Sequence, residues 1–359
     1  VDGGVSGTPP LGIIEGYYGR PWAAEDRLAL IADLAPLGFS FFIHAPKADP
    51  YLRRRWREDH PAAETRALAE LSADCAKLGV RFGVGLSPYE IYLGFDEAAK
   101  TALARKLAWL DEIGVTDLAI LFDDMRGDLP DLAARQADIL HWIAERTSAT
   151  RLIICPTYYS DDPVLDRVFG SRPPGYLDAL GAALDPAIDV FWTGAEVCSR
   201  EYSAANLHAV ARVLRRPPVL WDNYPVNDGP IMSRYLHLRA VTGRSNLAGH
   251  VRGHAVNPAN QPTLSRIPAR TLAEAYDLGE AYDYGQAWGR AARAVLGDDL
   301  AAMVERHLYL FQETGLDRLG DTAGRLRERY AAFDHPAARE ILAWLDGAYA
   351  VTREAIEAS

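Results

Sequence analysis

The amino-acid sequence predicts a parallel (β/α)8 TIM barrel followed by a C-terminal helical region. Short apolar runs alternate with amphipathic, helix-period segments about eight times, at a spacing of roughly 30–40 residues. The runs are apolar without alternation, as strands covered by helices on both faces are. No glycine-rich phosphate loop follows the first run, which disfavours a doubly wound open sheet, the main alternative.

The elements follow in chain order. Leu11–Ile14 reads as the first strand, and Leu28, Ile31, Leu34 and Ala35 then share one helical face. Ser40–Ile43 is the second strand, followed by a helix with Leu68, Leu71, Cys75 and Leu78 on one side. Phe82–Leu86 leads to the stripe Leu103, Leu107 and Leu110, with Gly114 as its C-cap. Leu118–Phe122, Leu152–Cys155 and Val190–Trp192 supply the next strands. Leu207, Val210 and Leu214 form a further stripe, ended by Pro217 and Pro218 before the strand Val219–Trp221. A longer run, roughly Ala248–Val256, closes the set. Beyond about Pro268 the pattern turns helical throughout, with a stripe at Leu342, Leu345, Tyr349 and Thr352. The expected division is a barrel over residues 1–268 and a helical region over residues 269–359.

Composition narrows the function classes. The chain has 359 residues, 49% of them hydrophobic, enough for a large core. Lys and Arg number 38 against 49 Asp and Glu, a net charge of -11, which argues against a nucleic-acid partner. No run approaches the ~20 apolar residues that span a bilayer, so no integral membrane protein is expected. The cysteines Cys75, Cys155 and Cys198 are far apart and odd in number; no disulfide framework or metal knuckle follows, and all three read as core residues. The chain opens at Val1 without Met, as a trimmed N-terminus would, and shows no signal peptide. Cytoplasmic and secreted locations both stay open, as does the oligomeric state.

Barrel active sites lie at the C-terminal ends of the strands, so polar residues just after each apolar run are the candidates. They are Glu15–Tyr18, His44 with Lys47 and Asp49, Asp123 and Asp124, Tyr158 and Tyr159, Thr193, Asp222 and Asn223 with Asp228, and Asn257. Carboxylates and amides bind hydroxyls and aromatic faces stack on pyranose rings, so the set suits a sugar. Asp123 and Asp124 are the sharpest feature. Successive strand side chains point to opposite faces, so the strand must end or bulge for both to meet one substrate. Mutual repulsion then pushes one member of the pair toward a higher pKa, which suits a general acid. A helix-capping Asp with a solvated neighbour fits the same residues. Trp221-Asp222-Asn223 with Asn227-Asp228 reads as a hydroxyl clamp or as ordinary turn chemistry. His250 and His254, on one side of a strand, read as hydrogen-bonded histidines rather than metal ligands; no metal and no cofactor are expected. Arg53-Arg54-Arg55-Trp56-Arg57, with Glu58 and Asp59 next, reads as a solvated face.

The block Gly12-Ile13-Ile14-Glu15-Gly16-Tyr17-Tyr18-Gly19-Arg20-Pro21-Trp22 strongly resembles the opening signature of glycoside hydrolase family 84, the β-N-acetylglucosaminidases that include the O-GlcNAcases. Further blocks match in order: Ala45-Pro46-Lys47 with Asp49, Leu121-Phe122-Asp123-Asp124, Cys155-Pro156-Thr157 with Tyr159, Trp192-Thr193-Gly194, Trp221-Asp222-Asn223 with Asn227-Asp228, and Asn257-Pro258. The resemblance implies a (β/α)8 barrel and retaining hydrolysis of terminal β-linked N-acetylglucosamine, including O-GlcNAc on protein Ser and Thr. The substrate's own acetamido oxygen would be the nucleophile, with an oxazoline intermediate, one of the exceptions to the two-carboxylate scheme. Asp123 would hold the acetamido N–H, and Asp124 would act as general acid and then base. Tyr159, Trp221 and Asn223 would surround the acetamido group; Gly16, Lys47, Asp228 and Asn257 would bind ring hydroxyls. The expected partners are β-N-acetylglucosaminides, including O-GlcNAc-modified proteins or peptides. This chain departs from the common family pattern at Ala48, where an Asp is usual, and in the loop after Asn223. An exo-hexosaminidase of bacterial glycans or hyaluronan-type oligosaccharides is the enzymatic alternative. A non-catalytic sugar-binding barrel is the alternative of another class, and it predicts loss of an acid that is present here.

Overall fold

The computed structural model describes residues 7–358. Among them, eight parallel strands close into a barrel in sequence order. They are β1 (Leu11–Glu15), β2 (Phe39–His44), β3 (Arg81–Leu86), β4 (Asp117–Leu121), β5 (Arg151–Cys155), β6 (Asp189–Trp192), β7 (Val219–Asp222) and β8 (Gly253–Val256). β1 pairs with both β2 and β8, which completes the ring. The strands are buried along almost their whole length, as their unbroken apolar runs require.

Helices α1 (Ala24–Leu34), α2 (Ala62–Lys77), α3 (Glu97–Glu112), α4 (Leu132–Ala144), α5 (Val164–Phe169), α6 (Tyr176–Ala183) and α7 (Ala204–Leu214) lie between successive strands. On α1 the buried face is Arg27, Leu30, Ile31 and Leu34, with Leu28 at its margin, one step round from the expected stripe. On α2, Leu68, Leu71 and Cys75 are buried, but Leu78 is exposed just past the helix end.

The β-then-α rhythm breaks at the last connection. Residues 223–252 carry only a short turn of 3-10 helix, Met232–Arg234, and no α-helix. The expected strand at Ala248–Val256 shortens to β8, so His250 falls in a turn and does not share a strand face with His254.

The N-terminal ends of the strands are tied by ions. Asp117 takes Arg81 at 2.9 Å and Arg151 at 3.3 Å, and Asp189 takes Arg151 at 2.7 Å and Arg252 at 3.1 Å. That face of a barrel serves stability and leaves the opposite rim for chemistry.

Helix α8 (Pro262–Leu278) follows β8, then α9 (Tyr284–Leu296), α10 (Asp298–Tyr309), α11 (Thr322–Tyr330), α12 (Pro336–Leu345) and α13 (Arg353–Ala358). The expected boundary at 268/269 falls inside α8, which carries Pro268 in its interior. The later helices form a second apolar core that takes Leu264 and Ile267 from α8, and Leu236, Leu238 and Ala240 from the β7–β8 connection. Tyr349 and Thr352 lie beyond α12, whose chain turns away at Gly347 with a φ of 76°.

Candidate active site

A cavity of about 180 Å³ opens among the C-terminal strand ends. Asp123, Asp124, Gly16, Lys47, Tyr159, Trp221, Asn223, Asp228 and Asn257 all line it, so the fold brings together the residues to which the family resemblance gave roles.

The two acids enter side by side because the backbone reverses hand. β4 ends at Leu121, and Asp124 has a φ of 55°, in the left-handed region. That conformation costs an L-residue roughly 1–2 kcal/mol, least for Asp and Asn, whose short polar side chains bond locally. Without it, neighbouring side chains would leave on opposite faces.

Lys47, buried on the loop after β2, donates to Asp123 Oδ2 and stands 3.7 Å from Asp124 Oδ2. Asp123 Oδ1 is buried and has no hydrogen-bond partner among the described residues. The Tyr18 hydroxyl donates to Asp124 Oδ2 at 2.8 Å, while the Tyr18 N–H donates to Asp228 Oδ2 at 2.9 Å.

The opposite wall is an amide chain. Asn257 Oδ1 accepts from Gly16 N at 3.2 Å, and its Nδ2 donates to Asn223 Oδ1 at 2.9 Å. Asn223 Oδ1 also accepts from Trp221 Nε1 at 3.0 Å, and Asn223 Nδ2 donates to the Val197 carbonyl at 2.8 Å. Gly16 is dictated by close approach: a Cβ there would lie 2.4 Å from Trp221 Cζ2.

Charge is distributed against the sequence expectation. Burial alone would raise Asp124, but the cations of Lys47 and Arg53 and the Tyr18 hydroxyl hold its pKa below the usual Asp value. The raised member anticipated from carboxylate repulsion is therefore not Asp124, because the two cations and the Tyr18 hydroxyl outweigh its burial. Asp228 is the acid pushed up, to about 6, by burial and then by the Asp124 charge, against the Tyr18 N–H. Burial and the two aspartates raise the Tyr159 phenol well above its ordinary value, so it stays neutral and can donate.

Several strand-end polar residues serve the frame instead. Glu15 pairs with Arg27 at 2.6 Å; burial would raise its pKa, but Arg27 and His44 hold it at about 2. Asp222 is held by Arg244 at 2.8 Å and by His254 Nε2 at 3.0 Å, and His254 Nδ1 meets the Tyr276 hydroxyl at 2.9 Å. Asp49 caps the turn Pro50–Leu52 and pairs with His60 at 3.3 Å. The Tyr158 hydroxyl donates to the Gly170 carbonyl.

Other residues join the pocket with no role foreseen for them. Cys155 and Val226 are buried in its wall, and Val197 and Cys198 come from the loop after β6. Cys198 is exposed rather than a core residue: its loop turns it to the rim, where an adjoining cavity of about 580 Å³ begins. Arg53 is buried, with Nη2 donating to the Asp124 carbonyl at 3.3 Å, and Trp56 is buried as well; only Arg54, Arg55 and Arg57 form the solvated face expected of that run. The one sequence signal for Arg53 was its place on the loop that carries Lys47.

Comparison with known proteins gives concordant matches. A family model described as beta-N-acetylglucosaminidase matches residues 11–311. The protein O-GlcNAcases of Mus musculus and Rattus norvegicus are each 30% identical over 275 residues, 74% of this chain. The matched part is 30% of those proteins, so the chain spans about a third of their length. A solved mutant of the Thermobaculum terrenum O-GlcNAc hydrolase superposes with a TM-score of 0.78 at 31% identity, covering 94% of this chain and 80% of that one.

Proposed function

Since this chain belongs to the β-N-acetylglucosaminidase family, we propose that it removes terminal β-linked N-acetylglucosamine, including from Ser and Thr of proteins, with retention and through an oxazoline. The carrying observation is Asp123 Oδ1, buried and without a hydrogen-bond partner among the described residues, beside Asp124 in a cavity of about 180 Å³. A buried acceptor left without a donor costs about 1–3 kcal/mol. The N–H of a 2-acetamido sugar supplies that donor.

Asp123 accepts the acetamido N–H, turns the amide oxygen toward C1, takes the N–H proton as the oxazoline closes and returns it when the ring opens. That oxygen attacks C1 as the C1–O bond breaks, and Asp124 gives its proton to the leaving oxygen. Asp124, now a carboxylate, takes a proton from the water that adds to C1, and the acetamide re-forms. Two displacements at C1 give retention. Neither acid bonds to the sugar, so one adjacent pair serves both steps. Tyr159 donates toward the amide oxygen, Trp221 and Asn223 wall the acetamido group, and Gly16, Lys47, Asp228 and Asn257 take the ring hydroxyls. Because Lys47 and Arg53 favour the Asp124 anion, the first step draws on a protonated minority that shrinks as pH rises.

The test is hydrolysis of aryl β-N-acetylglucosaminides with a progressively fluorinated acetamido methyl. A steep fall in rate supports the internal nucleophile; a flat response, or a sugar ester trapped on either Asp, overturns it. Release of N-acetylglucosamine from a glycosylated Ser peptide, set against β-linked oligosaccharides, tests the protein-linked substrate.

A further inference from the structure

Resting on the acid role proposed for Asp124, we infer that Arg53 is its positioning residue: the guanidinium holds the acid's own carbonyl and keeps a cation beside its carboxylate.

Arg53 has only 4% of its surface exposed, although it sits in a run of arginines on an acidic protein. A buried guanidinium persists only where charge and hydrogen-bond partners compensate its desolvation. Three loops converge on it. Its own loop, after β2, is pinned by the Asp49 carboxylate, which accepts from Tyr51 N and Leu52 N, and by Ser87 N donating to the Leu52 carbonyl at 2.8 Å. The loop after β3 places the Tyr89 ring 5.4 Å from the guanidinium carbon. The loop after β4 offers the Asp124 carbonyl at 3.3 Å.

That carbonyl belongs to the residue in the left-handed conformation. Tyr18 fixes the carboxylate end of Asp124 and Arg53 fixes the backbone end, so the acid is gripped at two points. Loss of the second grip would let the backbone relax toward ordinary φ and swing the carboxylate away from the leaving oxygen.

The charge argument counts every group facing Asp124. Tyr18 comes from the β1 loop, Lys47 and Arg53 from the β2 loop, and Asp123 is adjacent in chain. Cys155 and Tyr159 approach from β5 and its loop, and Asp228 from the β7 loop. Lys47 is the first cation that favours the Asp124 carboxylate, although it also bonds Asp123, and Arg53 is the second.

The test is the pH dependence of kcat/KM on aryl N-acetylglucosaminides with good and poor leaving groups, for wild type, Arg53→Met and Arg53→Lys. Removing the cation should move the basic limb up by about one pH unit on the poor substrate. Misaimed acid should lower kcat by about ten- to a hundredfold, more on the poor leaving group than on the activated one. Arg53→Lys should keep the limb in place and recover part of kcat. Loss of rate in Arg53→Met with an unmoved limb would overturn the inference, as would a limb displaced by Arg53→Lys; the second reading stands even if Arg53→Met does not fold. In an Asp124→Asn background, Arg53→Lys should cause no further leaving-group-dependent loss, and such a loss would also overturn it. If wild type itself shows no leaving-group-sensitive limb, or Asp124→Asn leaves that limb intact, the acid role of Asp124 is what has failed.

Discussion

The proposed mechanism gives Asp123 and Asp124, neighbours in the chain, different duties, and substitution should separate them. Asp124→Asn keeps the left-handed backbone, which Asn tolerates. It should lower kcat/KM on poor leaving groups by about 10²–10⁴-fold, and by far less on an activated aryl glycoside that needs little protonation. Asp123→Asn should cut both substrates by about 10²–10³-fold, because it disturbs the internal nucleophile. Parallel assays on the two substrates decide. Gly16→Ala puts a methyl against the Trp221 ring, so the indole must shift from the cavity wall; KM should rise strongly in steady-state kinetics. Asp228 trades stability for binding. Its carboxyl is raised from 3.8 to about 6 in the folded protein, so its favourable contribution is complete below about 3.8 and is lost as pH rises through about 6. Asp228→Asn should therefore raise Tm near pH 7, change it little near pH 4, and weaken sugar binding; equal shifts in melting scans at both pH values would refute the assignment. The pocket residues were legible in the sequence because a barrel exposes whatever follows each strand. The ionisation of Asp124 was not, because Arg53, 71 positions away, and Lys47 reach it only in three dimensions. Cys198 was misread because an apolar neighbourhood does not fix which way a loop side chain turns.

The helices behind the barrel reach the candidate site through a chain of polar contacts. Glu340 on α12 accepts from Thr263 N at 2.7 Å and Leu264 N at 2.9 Å, which satisfies the first turn of α8. Just ahead of that turn, Gln261 Oε1 accepts from Asn227 Nδ2, and Asn227 Oδ1 accepts from Asn260 N. Asn227 adjoins Asp228. Glu340→Ala strands both N–H groups in a buried interface and should cost about 2–4 kcal/mol, read by urea unfolding. KM should rise with it, as the Asp228 loop loosens. The strands and helices were readable because their periods differ. The missing helix between β7 and β8 was not, because Leu236 and Leu238 answer to a surface supplied by later helices.

At the scale of the molecule, two apolar cores share α8. The sequence marked the change of pattern near Pro268, but periodicity cannot show that one helix serves both sides of a boundary. Ending the chain after Ala281 would strip the cover from Leu236, Leu238, Leu264 and Ile267. Such a truncation should fail to give soluble, folded protein on size exclusion, whereas the full chain gives a single cooperative melt. A soluble, active 1–281 fragment would show the barrel to be self-sufficient.

The left-handed turn at Asp124 also bears on how such a protein changes over generations. β4 pairs with β5 through Leu121 and Cys155, and the chain is held one residue further, where Phe122 N donates to the Cys155 carbonyl at 2.9 Å. One insertion between Asp123 and Asp124 would leave those paired strands in place while sending the second carboxylate elsewhere. Both aspartates can thus be inherited on this scaffold after the geometry between them is lost, so that counting them in a descendant would overstate its chemistry.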